Sequence, residues 1–554
     1  MAFKTVLSGD LAGDDKHFDC SKVSNCCVEH DEWGCDDPTC EAIICDILPG
    51  CCSLDYEHPH DFWDYFCVER ARFYCCEPFF HNCENSYHVV TASGTDRSAV
   101  LDGFTIAHGY ADVSLDYGGG LRSIGGSATL SNCIFRNNGG RRGPGIFADD
   151  GADLALRNCL FLENFEASGS GAGIDVWGSV LSLEDCVFYE KYGLGVRSDH
   201  YDNPGTLALT RCAFLYNEEG ALWAEGNVTM TDCSFIGNSG LGSTVELRSF
   251  PYGSHMKLDN CSFMGNSSYY PLFIHYSWAT ISDCRFIGNI GGSVAGRNSV
   301  VTMNNSQILG NTGDSFGFAE SNVTVSNSIF SGNGRGALSA SEGELNLINC
   351  TVANTDLDVG ERVVDGYRTE FNMINSIIWG TTGYIHGLED AQIDLYESTV
   401  NINYSAIEGW SGKYGGVGNS GVDPLFVDPA GPDGVYGTSD DDLRLSVDSP
   451  LINAGDPAFV ALPCETDLGG NPRLQGCRVD LGAYESDVEQ DLGDFDGDGD
   501  IDLQDFARFL DCHRADLHNP DWLDTCLCVF DALEDSAVDT ADIVSLREAL
   551  TGPT

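Results

Sequence analysis

Asn132-Cys133-Ile134-Phe135, Asn158-Cys159-Leu160-Phe161, Asp232-Cys233-Ser234-Phe235 and Asn260-Cys261-Ser262-Phe263 are one phrase repeated. Gly-Asn often follows it, as in Gly237-Asn238 and Gly265-Asn266. Cysteine, or serine in its place, returns in the same phase at Cys133, Cys159, Cys186, Cys212, Cys233, Cys261, Cys284, Ser306, Ser328, Cys350, Ser376 and Ser398, with Phe104 as an earlier member. The mean step is about 25 residues, a length typical of one turn of a solenoid. Each period reads as three short strands: one after a glycine (Gly173-Ile174-Asp175-Val176-Trp177), one before the Asn-Cys corner (Leu154-Ala155-Leu156), and the Cys-x-Phe strand itself. Side chains alternate along a strand, so the Cys and Phe positions point inward and stack on their own copies, coil upon coil at roughly 4.8 Å. Asparagine before cysteine then sits at a corner, where its tolerance of left-handed backbone is useful.

The composition agrees with this reading, because 65 Gly, 29 Phe and 21 Tyr favour many short strands joined by tight turns. From about Leu101 to about Ser398 the pattern resembles the right-handed parallel β-helix repeats of the pectate-lyase-like superfamily. That resemblance implies a mostly β solenoid. It leaves function open, because the same scaffold serves polysaccharide lyases and hydrolases, adhesins and surface proteins. The column Cys133, Cys159, Cys186, Cys212, Cys233, Cys261, Cys284 and Cys350 invites a metal or disulfide reading. Serine fills the same slot elsewhere, so small buried thiols that pack are the expectation.

The formal net charge is -57, from 85 acidic and 28 basic residues. Such a surface repels nucleic acid and anionic lipid and attracts cations. No run of eighteen apolar residues occurs, so no membrane span is expected. There are 25 cysteines. Those from Cys20 to Cys83 cluster with Cys26-Cys27, Gly34-Cys35-Asp36-Asp37-Pro38, Cys51-Cys52, Trp63-Asp64 and Cys75-Cys76. This order resembles small Cys-rich modules of secreted bacterial repeat proteins. Zinc is the competing reading, with His30, His58 and His60 nearby, but paired Cys-x-x-Cys knuckles are absent and disulfides are expected. An extracellular or cell-surface location follows from oxidised cysteines. Met1–Asp10 carries no signal peptide, and Thr5-Val6-Leu7 opens in mid-pattern, so the gene product is expected to begin upstream.

Near the C-terminus, Asp494, Asp496, Asp498, Asp502 and Asp505 occupy the first, third, fifth, ninth and twelfth places of a twelve-residue loop, with Gly499 sixth and Asp500 seventh. This is the layout that wraps a calcium ion in oxygens. A second copy has Asp531, Asp535, Asp539 and Asp542 at the first, fifth, ninth and twelfth places, but Leu533 third and Ser536 sixth, so it should bind more weakly. Each loop leads into an expected helix, Leu503 to Leu510 and Asp542 to Leu550. The pair resembles a dockerin type I or EF-hand-like module, which implies Ca2+ as cofactor and a cohesin-like protein as a possible partner. The wide spacing of the loops departs from ordinary dockerins, as do Cys512, Cys526 and Cys528 between them. The expected organisation is therefore 1–19, first β-helix strands; 20–83, Cys-rich insert; 84–420, parallel β-helix; 421–487, C-terminal cap; 488–554, small α-helical calcium-binding module. Within the cap, Asp433–Asp442 is a further candidate cation loop, and Cys464 is expected to pair with Cys477.

The outward face of the glycine-led strand collects Asp149, Asp175, Trp177, Arg197, Asp199, Trp223, Glu225, Arg248, Tyr276 and Arg297. Carboxylates, guanidinium groups and aromatic faces suit a polysaccharide. For catalysis the candidates are Asp175, Asp199 and Glu225 as acids, with Arg197 and Arg248 as base or charge clamp. For carbohydrate binding they are Trp177, Trp223 and Tyr276. No catalytic signature of a lyase or glycosidase is present. The sequence therefore reads as a secreted or cell-surface, calcium-binding β-helix protein that binds a polysaccharide or cell-surface glycan. A lyase or hydrolase of acidic polysaccharide and a dockerin-tethered scaffold component are the alternatives.

Overall fold

The computed structural model describes residues 5–8, 87–111, 117–166, 173–190, 193–199, 205–249, 253–313, 316–357, 361–383, 387–463, 465–476 and 478–486. It also describes 493, 501, 503–514, 530, 538 and 542. The chain forms two compact units, residues 1–205 and 206–554. The Cys-rich stretch, Cys464 and Cys477 lie outside the described residues, as do nearly all the expected calcium ligands.

In residues 1–205 each coil contributes one strand to each of three parallel sheets, which we number first for the Cys-x-Phe strands, second for the glycine-led strands and third for the strands before the Asn-Cys corner. One full coil runs Ile146–Asp149 in the second sheet, Asp153–Arg157 in the third and Leu160–Leu162 in the first. Register is fixed by like pairing with like. Phe135 pairs with Phe161 and Phe161 with Phe188, with ring centroids 5.0 and 4.7 Å apart and nearly parallel planes. Thr5–Ser8 pairs with Phe104–Ala107 in the first sheet, and the next described strand, Val90–Thr91, belongs to the second.

Residues 206–554 repeat the scheme. Phe214, Phe235, Phe263 and Phe286 stack at 4.7–5.0 Å, and the column continues through Ile308, Phe330, Val352, Ile378 and Ile407. The expected left-handed corners are present: Asn132, Asn158, Asp232, Asn260 and Asn349 have φ between 50° and 55°. Arg211 at 50° and Tyr404 at 44° accept the same geometry without asparagine's ease. The eight coil cysteines are buried and free. Burial pushes the Cys350 thiol up to about 12, which makes it an inert packing group.

The asparagine that follows glycine forms a second, buried ladder. In the larger unit Asn217, Asn238, Asn266, Asn289 and Asn311 each donate their amide to the next member at 2.7–3.0 Å, ending on Asn333. In the smaller unit Asn138 donates to Asn164, and Asn164 to Glu190 at 2.8 Å. Burial holds the Glu190 carboxyl well above its usual range.

Two expectations at the C-terminal end need correction. Ser398 is not in the cysteine column: its hydroxyl accepts from Thr369 N at the corner between the second and third sheets. Ser405 takes the column position and accepts from Ser376 N. A short helix, Leu388–Gln392, lengthens this coil, so counting at constant step lands one corner early. The open end is met by residues 415–420, where Tyr404 N donates to Val417 O and Ile407 N to Ser420 O. Residues 421–486 instead run along the flank of the first sheet. Leu443 and Ala483 pack on Leu309, Ile329 and Ala353, while Leu445, Leu451, Ile452 and Leu481 pack on Ile377 and Ala406. Gly437, at φ +82°, lies so close to Gly332 and Gly310 that a Cβ would come within 2.8 Å of both. Arg473, fully buried, pairs with Glu485 at 3.1 Å and donates to the carbonyls of Asp480 and Gly482.

In the tail, the helix Leu503–Arg514 starts where the loop motif expects and runs four residues past Leu510. Phe509 packs edge-on to Phe530 at 5.4 Å, and both are buried. Among the described residues no helix is long and apolar enough to cross a membrane.

Candidate functional site

The second sheet places its outward side chains in two rows, because each coil repeats the same two-residue alternation. In residues 1–205, Asp175 pairs with Phe147 on one side and Arg197 on the other, and Trp177 pairs with Asp199. Four of the candidates thus come together. Arg197 bonds Asp199 at 3.3 Å. Asp149 is used locally: its carboxylate accepts from Asp150 N at the corner.

This outward face is roofed. Asp175 is fully buried and Phe147 is 2% exposed. The backbone of 142–145 accepts hydrogen bonds from 118–121, so the two glycine-rich turns ladder together above the strand. Gly143, at φ +47°, sits so close that a Cβ would lie 3.1 Å from Asp175 N, and one on Gly118 would lie 2.9 Å from Phe147 Cβ. The turns bring Tyr117 to 4.9 Å from the Phe147 ring and Arg142 to 4.1 Å above the Trp177 ring. Trp177 meets Phe147 edge-on at 5.9 Å. Three N–H donors here are buried and have no acceptor: Trp177 Nε1, Arg142 Nη1 and Arg122 Nε. Arg122 pairs with Phe147 in the same row.

In residues 206–554 the second sheet is more open. One outward row contains Trp223, Glu246, Phe273 and Ala295, and the next Glu225, Arg248, His275 and Arg297. Trp223, Glu225 and Arg248 are therefore neighbours, as the sequence suggests. Tyr276 is not on the strand: it has φ 54° at the corner, and His275 takes the position expected for it. Tyr269, Tyr270, Phe273, His275 and Tyr276 form one aromatic band across a single coil, with consecutive centroids 4.3–6.2 Å apart. The following coils supply room. Ala295 and Gly317 are small, and the Tyr270 hydroxyl lies 3.9 Å from where a Gly317 Cβ would be. Burial and then Arg248 lower the His275 pKa, so its ring is neutral near pH 7. The arginines beside it are engaged by acids: Arg248 donates to Glu246 at 2.5 Å and Arg297 to Glu320 at 3.1 Å.

Composition and spacing miss Phe273, His275, Glu246, Arg122 and Arg142. The strand residues have a usable signal, since residues one and three places after the first inward apolar position of a glycine-led strand share the outward face. Arg142 and Tyr117 come from turns and have none.

The residues fall into a known family. Two stretches, 79–245 and 221–386, match the model of the right-handed β-helix region. The chain belongs to the right-handed β-helix family. No curated protein matches this β-helix chain. Among solved structures, tailspike protein 3 of bacteriophage CBA120 is similar over 57% of this chain and 50% of its own, with a TM-score of 0.34 and 10% identity. The β-helix chain thus spans half the length of that neighbour.

Of the acids expected to bind calcium, Asp494, Asp496, Asp498, Asp500, Asp502, Asp531, Asp535 and Asp539 lie outside the described residues. Asp505 is placed within the helix Leu503–Arg514, and Asp542 is buried. In the Asp433–Asp442 loop the acids serve the turn itself: Asp433 accepts from Val435 N and Asp441 from Gly437 N. Among the described residues no three His, Cys, Asp or Glu side chains group to hold a metal ion.

Proposed function

We propose that this β-helix protein is secreted or displayed at a cell surface and binds a glycan on the outward face of its second sheet, without cleaving it. The observation that carries the reading is the aromatic band Tyr269–Tyr276 on one coil, with Arg248 and Arg297 in register beside His275. Aromatic faces stack on the apolar faces of sugar rings, and guanidinium and imidazole groups supply hydrogen bonds to hydroxyls or acids. Binding is favoured over turnover because the acids placed beside this band already serve its arginines, Glu246 on Arg248 and Glu320 on Arg297. Calcium belongs to the tail in this reading, with Asp494–Asp505 as the stronger loop, and the oxidised Cys20–Cys83 segment is the mark of an extracellular protein.

The test is affinity electrophoresis through gels containing neutral or acidic polysaccharides, with parallel assays for new reducing ends and unsaturated products. Retardation by at least one polysaccharide without new ends is expected, and Tyr270→Ala with Phe273→Ala should abolish it. New ends, or retardation that survives the double substitution, would refute the reading. Calorimetry on Asp494→Ala/Asp498→Ala should show loss of the tighter calcium site.

A further inference from the structure

We propose that the glycan face of residues 206–554 extends along the helix axis to a second aromatic end at Tyr367 and Tyr396, and that its ligand is a linear, uncharged glycan. This rests on the glycan reading above and narrows it. The outward row that runs Phe273, Ala295, Gly317 continues through Ser339 to Asp365 and Asp394. Its neighbour runs from His275 through Arg297, Ala319 and Ser341 to Tyr367 and Tyr396. Between the aromatic band and the two tyrosines the outward strand positions therefore hold small side chains, except Arg297. Four strand steps separate Phe273 from the coil of Tyr367, about 19 Å at the usual spacing.

The far end presents rings to solvent. Tyr367 and Tyr396 stack at 6.0 Å with planes 7° apart, and the Arg368 guanidinium lies 4.8 Å from the Tyr367 ring centre. Tyr396 is 65% exposed, and Ser339, Asp365 and Asp394 are exposed beside the stack. Stacked rings left in water are not core. A linear glycan repeats its apolar ring faces along its length, so one chain meets aromatic groups at both ends of the row. Charge decides which glycan. Arg248 and Arg297 are matched by Glu246 and Glu320, Arg368 donates to Glu397 at 2.8 Å, and Arg362 lies 3.6 Å from Asp394. Asp365 adds a further carboxylate in the same row, in a chain of net charge -57. A polyanion would meet balanced arginines and surplus acid, whereas sugar hydroxyls bond to paired guanidinium and carboxylate groups without separating them.

The experiment is affinity electrophoresis of the full chain through gels of uncharged polymers (glucomannan, galactomannan, β-1,3-glucan) and of acidic ones (polygalacturonate, alginate). Retardation by an uncharged polymer is expected, and Tyr367→Ala with Tyr396→Ala should weaken it about tenfold or more. Tyr396→Ala alone alters the more exposed ring and should weaken it about threefold, which keeps the test valid if loss of Tyr367 upsets the corner. A hexasaccharide of the retained polymer should compete about tenfold better than its disaccharide, which is too short to reach both ends. Retardation by acidic polymers at equal or greater strength would overturn the inference, as would full retardation of both tyrosine variants or equal competition by the two oligosaccharides. If Tyr270→Ala with Phe273→Ala still abolished retardation in those cases, the glycan reading itself would stand. No retardation by any polymer would overturn both. A native dimer that the tyrosine substitutions dissociate, with retardation unchanged, would assign the stack to a second copy of the chain and overturn the inference.

Discussion

Two outer surfaces of residues 206–554 are built by the same coils and differ in fate. On the flank of the first sheet, one outward row reads Ser234, Ser262, Arg285 and Gln307, then changes to Ile329, Thr351, Ile377 and Ala406. The change coincides with the arrival of residues 421–486, which bury those apolar groups. The outward face of the second sheet never turns aliphatic in this way. It keeps Trp223, Glu246, Phe273, Arg248, His275 and Arg297, half-buried or exposed, and no described segment roofs them. An outward row that becomes aliphatic marks a surface closed by the chain itself, whereas one that mixes rings with charges marks a surface kept for another molecule.

The largest expected effect is on the closed flank. Ile377→Asp would bury a carboxylate between the coil and Leu445, Leu451 and Leu481, costing about 4 kcal/mol. Denaturant unfolding should show this loss together with early proteolytic release of residues 421–486. Unchanged stability would mean that the flank is not sealed.

A second effect of up to about 3 kcal/mol follows pH. Burial pushes the Asp480 carboxyl up to about 6 from 3.8, against the backbone N–H of Asn453 and Ser486. The folded state thus favours the protonated acid. Its contribution is complete below about 3.8 and is lost as pH rises through about 6. Asp480→Asn should flatten this part of the stability profile, as read by thermal melts between pH 3.5 and 7. Next, Gly437→Ala should cost about 1–2 kcal/mol, because the Cβ collides with the glycines beneath and the backbone is left-handed. The smallest change in stability, about 0.5 kcal/mol or less, belongs to Phe273→Ala on the open face. That substitution should nevertheless weaken glycan binding at least tenfold in affinity electrophoresis.

Much of this was legible in the sequence, and the reason is physical. A parallel coil pairs each residue with its own copy, so Phe135 under Phe161 and Asn132 beside Asn158 leave a repeating text. The apolar switch at Ile329, Thr351 and Ile377 is written in the same text, where Cys-x-Phe gives way to Ser-Ile-Phe and Cys-Thr-Val. What failed was counting across irregular coils. The Leu388–Gln392 helix displaced Ser398 from its expected column, and a left-handed corner moved Tyr276 off the strand. The roofed cluster was half visible: Asp175, Trp177, Arg197 and Asp199 lie on strands, whereas Tyr117 and Arg142 arrive on turns whose path alternation does not encode.

The most direct test of an open face opposed to a sealed flank is hydroxyl-radical footprinting of residues 206–554 in the full chain, with and without a retained polysaccharide. Without ligand, exposed Tyr269, Tyr276 and Met264 should all label, and Ile377 should not. With ligand, Tyr269, Tyr270, Phe273 and Tyr276 should be protected, while Met264 on the uncovered part of the first-sheet flank stays reactive. Protection of Met264 in place of the aromatic band, or labelling of Ile377 in the free protein, would contradict the account.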